Sequence, residues 1–427
     1  MFPLLERPRT PIVSRTTSVY LRTKRSREPE AISPEVNCSQ RFVAQLGLEV
    51  VSVFTRLPLR FAIAVASGIY ALAKILPVQD KVTFISRGNS FTSIDFQLLG
   101  EAIERERAST HAVFLNHPLS SLWKVPFHMV AEMYHVATSR AVVIDTYIVA
   151  VSVLKHRPQL KVLQIWHALG AFKAFGRMAI GRAEGSAEGL AQVMRMHENY
   201  TYVSAPSAAT AAVYRQCFGI DESRIVLAGS PRVDYLLNDE TQQTQREMLT
   251  EKYEIPHDRK VVLFAPTFRK NSPIPVDELV SQIDTNRFVV LLRKHPLDDR
   301  TVVSDPRVII TDESEGIELL AVADHLVTDY SAIVFEASLR NIPVYFWTFD
   351  REEYAVKRGF MLDFDAEAPG PITDSAAEIA HEIATAKPSP RSSAFASKYV
   401  ETTHFNNADR LAQLLLAADF PADWARS

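Results

Sequence analysis

Short apolar runs alternate with amphipathic stretches through most of the chain from Lys81 onward. Val82–Ser86, Ala112–Leu115, Ala141–Asp145, Lys161–Trp166, Tyr200–Ser204 and Ile225–Ala228 read as strands. Ile94–Arg105, Pro126–Val136 and Ser207–Cys217 read as the helices between them. A charged helical stretch, Leu237–Lys260, follows. The alternation then resumes with strands at Val261–Phe264, Phe288–Leu292, Val308–Ile310, His325–Val327 and Val344–Trp347, and Ala408–Ala418 closes the chain with a helical pattern. Strands that are apolar throughout, rather than at alternate positions, belong to parallel sheets covered on both faces. The expectation is an α/β protein with two doubly wound, Rossmann-like domains, residues 78–236 and 237–427, facing a central crevice. Such sheets bind ligands beyond the carboxyl ends of their strands.

The first 77 residues differ. Residues 1–39 read as a disordered tail, and Arg7, Arg9, Arg15, Arg22, Lys24, Arg25 and Arg27 make it basic. Residues 40–77 are apolar with sparse charges, and Pro58 divides them into two helices. Two readings fit: a helical layer packed on the first domain, or a helix lying in a membrane surface beside the basic tail. The longest uncharged stretch, Phe61–Ala73, falls short of the roughly 18 residues a membrane span needs.

Composition narrows the chemistry. The net charge of −3 gives no reason to expect a nucleic-acid partner. Cys38 and Cys217 fit no metal or disulfide pattern, which points to a reducing, cytoplasmic setting. The 14 glycines form neither GxGxxG nor a P-loop, so a phosphate site needs other means.

Those means stand at the strand ends. The turn Thr328, Asp329, Tyr330, Ser331 separates a strand from a helix and offers hydroxyls where a helix N-terminus favours an anion. Thr267 and Arg269 follow one strand; Arg293, Lys294 and His295 follow another. Together they suggest a pyrophosphate site. Glu336, five residues beyond Ser331, is a candidate for a ribose diol. His167 ends the Lys161–Trp166 strand, where a histidine can serve as general base. Asp363 and Asp365 form a DxD, read as a loop feature; no metal and no cofactor are expected.

Six ordered segments resemble one family: QIWHALGAFKAFG (164–176), GSPRVDYL (229–236), LFAPTFRKN (263–271), LLRKHP (291–296), VTDYSAIVFE (327–336) and DREEYAVKRGFMLDFDAEAPGPI (350–372). They resemble the CDP-glycerol glycerophosphotransferases, the teichoic-acid primases and polymerases. The resemblance implies a GT-B fold and transfer of glycerol phosphate, or in some members ribitol phosphate, from a CDP-alditol to a lipid-linked polyol-phosphate acceptor. CMP is released at the cytoplasmic face of the membrane, where members sit as peripheral proteins. His167 and His295 match the family's two essential histidines. The Thr267/Arg269 segment, Thr328, Asp329, Ser331 and Glu336 match its CDP-binding residues. The chain departs from the family pattern at Ala168, Leu169 and Gly170, where some members carry Gly-Thr-Pro, and at Ala332, where the usual residue is Ser. A glycosyltransferase using a nucleotide sugar, and a membrane-bound scaffold without turnover, are the competing readings.

Overall fold

A computed structural model of the protein describes residues 57–87, 91–116, 124–269, 272–295, 298–386, 390–402 and 406–417. The basic tail and the first part of the apolar stretch, residues 1–56, lie outside the described residues.

Among the described residues, twelve strands form two six-stranded sheets. The first contains β1 (Gln79–Ser86), β2 (His111–Asn116), β3 (Ser139–Ile144), β4 (Lys161–Gln164), β5 (Tyr202–Ser204) and β6 (Ile225–Val226), in the order β2-β1-β3-β4-β5-β6. The second contains β7 (Lys260–Phe264), β8 (Phe288–Leu292), β9 (Val308–Ile310), β10 (His325–Thr328), β11 (Val344–Trp347) and β12 (Ile372–Thr373), in the order β12-β11-β10-β7-β8-β9. Every pairing is parallel. The apolar runs therefore mark the strands correctly, and both domains are α/β with parallel sheets. Strand order reverses direction between β1 and β3 and between β10 and β7, and crevices open at such points.

Two elements correct or refine the domain reading. Helix Asn407–Leu416 belongs with the first domain, not with 237–427: Leu411, Leu414 and Leu415 are buried in one cluster with Phe96 and Leu99. Its start is held by the Asp234 carboxylate, which accepts from the Asn407 and Ala408 N–H groups at 3.0 and 2.9 Å. An apolar helical stripe shows that a helix packs, but not on which core. Residues 57–73 are helical and include Pro58. Ile63, Ala66 and Ala73 pack on the first domain, and Tyr70 is buried with its hydroxyl 2.8 Å from His156 Nδ1. The opposite face exposes Leu57, Phe61, Val65 and Leu72. So this helix is a packed layer on one side and apolar on the other.

The domains are joined by more than the connecting helices Pro231–Leu237 and Asp239–Lys252. The segment after β4 crosses into the second domain, where Leu169 and Phe172 become part of its core. Phe172 stacks on Phe395 at 5.6 Å and meets Phe335 at 5.4 Å. Its carbonyl accepts from Met361 N–H at 2.6 Å, and Ala174 N–H donates to the Gly359 carbonyl at 2.9 Å. Gly170 lies so close to the Phe335 ring that a Cβ would sit 2.3 Å from it. The close approach requires glycine there.

Candidate active site

The candidate residues stand just beyond the carboxyl ends of β4, β7, β8 and β10. Trp166 turns the chain after β4 in the left-handed region, φ 55°, and its N–H donates to Gln164 Oε1 at 2.8 Å. The Trp166 ring stacks on Phe175 at 4.3 Å. This fixed turn presents His167 as an exposed residue just beyond β4. His167 Nδ1 lies 3.0 Å from the Asp145 carbonyl oxygen. A carbonyl only accepts, so Nδ1 carries the proton and Nε2 is left as the base. The protein packed around it lowers the pKa to about 4 by desolvation; Arg232 and Lys173 push the same way, and the Asp145 carbonyl opposes them. The imidazole is therefore neutral at neutral pH.

His295 follows β8 and stacks on Phe268 at 5.2 Å. Burial, then Arg293 and Lys173, lower its pKa to about 4. Lys173 acts electrostatically on both histidines, so the two imidazoles and this ammonium share one crevice.

The cations divide into two kinds. Arg269 is buried and closed in by carboxylates: Nη2 lies 2.9 Å from Asp329 and 3.0 Å from Asp350. Its guanidinium also lies over Tyr354 at 4.8 Å. Burial works against that charge, but Asp329 and Asp350 outweigh it and hold the pKa up. Asp329 is equally committed, since both its oxygens accept from Thr267 N–H at 3.0 Å. Arg293 and Lys173 differ. Arg293 gives Nε–H to the Glu315 carbonyl at 2.9 Å, and among the described residues no carboxylate pairs with it. Burial lowers its pKa, with Glu318 opposing. Lys173 is half-buried, with neither a hydrogen bond nor an ion pair from its ammonium to any described residue. Burial, then Arg358, lowers its pKa to about 8.

The turn after β10 holds Thr328, whose buried hydroxyl donates to the Ala265 carbonyl at 2.7 Å and so braces β10 on β7. In this arrangement that hydroxyl is already committed to a backbone partner. Thr267 keeps a buried hydroxyl without a partner among the described residues, and Ser331 is half-buried at the helix start. Glu336 lies in helix Ile333–Leu339 and is fully engaged on one side. Its Oε1 accepts from Arg232 Nη1 at 2.8 Å and from Leu169 N–H at 3.2 Å, while Oε2 has no partner among the described residues. Burial raises its pKa and Arg232 opposes.

Arg232 links the site's two halves. Its Nε donates to Asp95 Oδ2 at 2.9 Å, its Nη1 to the His167 carbonyl at 2.8 Å and to Glu336. Burial disfavours its charge, but Asp95 and Glu336 outweigh that and keep the guanidinium protonated. One buried cation thus ties helix Ile94–Glu106, the base-bearing turn and the second domain together.

A family model described as CDP-Glycerol:Poly(glycerophosphate) glycerophosphotransferase matches residues 69–417. The chain belongs to this family. Among its glycerophosphotransferase relatives, the teichoic acid ribitol-phosphate primase of Bacillus spizizenii is 29% identical over 81% of this chain and 93% of its own length. The teichoic acid glycerol-phosphate primase of Bacillus subtilis is 26% identical over 68% of this chain and 77% of its own length. In fold, the chain is similar to the wall teichoic acid polymerase TagF, with a TM-score of 0.66 at 18% identity, covering 86% of this chain and 96% of that one. Relatives matched in this family include teichoic acid primases and polymerases.

His167, His295, Thr267, Arg269, Arg293, Asp329 and Ser331 all follow strand carboxyl ends. Lys173, Arg232, Asp95 and Asp350 are not among the candidates the sequence offers. Lys173 and Arg232 lie inside recognisable family segments, so proximity to His167 and to the motif's proline was the available signal. Asp95 carried none, because its partner is 137 residues away. Asp363 and Asp365 serve locally: Asp363 caps helix Phe364–Glu367 and Asp365 pairs with Arg351.

Proposed function

We propose that the protein moves glycerol phosphate from CDP-glycerol to an alditol hydroxyl of a membrane-linked, teichoic-acid-like acceptor and releases CMP. The observation that carries this reading is His167, neutral and with Nε2 free to take a proton, in a crevice that also holds His295 and the unpaired cations Lys173 and Arg293. Phosphoryl transfer relies chiefly on positioning and charge stabilisation, and a neutral base among cations supplies both. His167 Nε2 takes the acceptor proton. The freed oxygen attacks the β-phosphorus, the bond to the CMP phosphate breaks, and CMP leaves. Lys173, Arg293 and His295 neutralise the pyrophosphate and the departing phosphate. Thr267 and Ser331 donate hydroxyl hydrogen bonds to the donor. Arg269, Asp329 and Thr328 hold the loops that carry these groups. Glu336 Oε2 is the acceptor left for a ribose hydroxyl. The anionic donor raises the His167 pKa on binding and so strengthens a base that is weak in the free enzyme. No metal is assigned a role.

The two facing parallel-sheet domains fit a GT-B arrangement. A peripheral position on the cytoplasmic membrane face is supported by the exposed apolar side of the helix at 57–73 and by exposed Phe127 and Val130 on helix Val125–Thr138. Among the described residues no helix is long and apolar enough to cross a membrane.

CDP-ribitol is the second donor reading, because a ribitol-phosphate primase is among the relatives matched over most of their length. The test is CMP release from CDP-glycerol and CDP-ribitol in parallel, with a lipid-linked glycerol-phosphate acceptor. Acceptor-dependent release from CDP-glycerol supports the proposal, and release from CDP-ribitol alone replaces the alditol. Inertness of both donors beside release from a nucleotide sugar removes it.

A further inference from the structure

The first domain has a second concave site at the end of its sheet opposite the crevice. A cavity of about 730 Å³ opens beside the segments that lead into β4, β5 and β6. Lys155, Arg157, Arg195 and Arg224 line it with His156, and no carboxylate is among its lining residues. The strands are parallel, so their amino ends lie together, away from the carboxyl ends where His167 stands. The four residues of β4 separate the two sites by roughly 13 Å at 3.3 Å per residue.

The cavity adjoins the helix at 57–73. Lys74 Nζ donates to the Lys155 carbonyl at 2.9 Å, and Arg157 donates to the Lys74 and Leu76 carbonyls, the latter at 2.7 Å. Leu72, Ile75 and Leu76 stand exposed at this junction. Arg195 is partly neutralised by Glu198 at 2.8 Å. Lys155 and Arg224 are exposed, and no ion pair holds either among the described residues. The juxtaposition is a cationic hollow edged by exposed apolar side chains. Arginine and lysine together suit a phosphate, and the apolar edge suits an amphiphile rather than a freely soluble anion.

We propose that this cavity holds the phosphate headgroup of an anionic membrane lipid, with acyl chains against Leu72, Ile75 and Leu76. The site rests on the membrane-surface reading above and adds headgroup selectivity to it. It would orient the first domain on the bilayer with its crevice free for the donor.

The test is co-sedimentation of the full chain with phosphatidylcholine vesicles and with vesicles of phosphatidylcholine and phosphatidylglycerol. Wild type is expected to prefer the phosphatidylglycerol vesicles. Lys155→Glu/Arg224→Glu is expected to weaken binding to them by about tenfold or more, since each basic residue near an anionic surface strengthens binding severalfold. Binding to phosphatidylcholine and CMP release from a soluble acceptor stay unchanged, which also shows that the variant folds. Phe61→Asp/Leu72→Asp is expected to weaken binding to both vesicle types. Equal binding of wild type and the charge-reversed variant to phosphatidylglycerol vesicles overturns the headgroup site and leaves the membrane reading standing. No sedimentation of wild type with either vesicle overturns both. Release from phosphatidylglycerol vesicles by soluble glycerol phosphate assigns the cavity to a soluble anion and overturns the lipid assignment.

Discussion

Arg269 and Lys173 are cations in the same crevice with opposite surroundings. Arg269 is enclosed by Asp329, Asp350 and aromatic rings. Lys173 forms no ion pair among the described residues, and burial together with the charges of Arg358 and Arg269 outweighs the opposing pull of Asp329 and Glu184. Arg232 belongs with Arg269, and Arg293 with Lys173. A cation already neutralised by the protein stabilises the walls of a site. A cation left unpaired in a partly desolvated place is poised for an anion supplied from outside, because an opposite charge there relieves the cost of its burial. The site thus keeps its neutralised charges and its unpaired charges apart, though both look alike as basic residues in the sequence.

The largest test of this division concerns the base. His167→Ala should lower kcat about 10²- to 10⁴-fold while thermal unfolding changes little, because the residue is exposed. Near-wild-type turnover would remove His167 from proton transfer. Arg232→Met should act on the fold instead. It leaves Asp95 and Glu336 buried without their cation, at a cost of about 3–5 kcal/mol, measurable by urea unfolding. A stable Arg232→Met protein with only its activity lost would move Arg232 to the functional group.

Lys173→Met should spare stability and lower kcat/KM about 10- to 100-fold, the loss of one or two charge-assisted contacts to the donor. Its pH dependence sharpens the point. The Lys173 ammonium, with its pKa lowered to about 8, loses its charge as pH rises through 8, so kcat/KM should fall on that side. Lys173→Arg should move this alkaline limb upward. The acid limb should lie near 4 in the free enzyme, where His167 takes up a proton. A depressed histidine pKa also has a stability consequence. An unfolded histidine takes a proton near 6.5, but the partly buried His295 of the folded protein does so only near 4. Its neutral state therefore contributes stability fully above about pH 6.5, and this is lost as pH falls from there toward 4. The smallest effect is expected at Gly170→Ala. The added methyl meets the Phe335 ring and should cost about 1–3 kcal/mol by overpacking the domain junction.

The apolar runs named nearly every strand because a central parallel strand is buried on both faces and tolerates little else. Strand ends named most of the crevice residues for a related reason: polar side chains cluster where the sheet stops. Partners were not legible in this way. Arg269 and Asp350 are 81 residues apart, and Arg232 and Asp95 are 137 apart. Nothing local in sequence marks one arginine as paired and the next as free. The same limit hid the crossing of Leu169 and Phe172 into the second core and the return of helix Asn407–Leu416 to the first.

By itself, the sequence determined the α/β class, the parallel sheets and the family, because each rests on residue type and local spacing. Tertiary structure decided which charges are spent inside the protein, which imidazole nitrogen is left as the base, and which apolar face stays uncovered. Those depend on what lies within a few ångströms in space, and folding brings together residues that the chain keeps far apart.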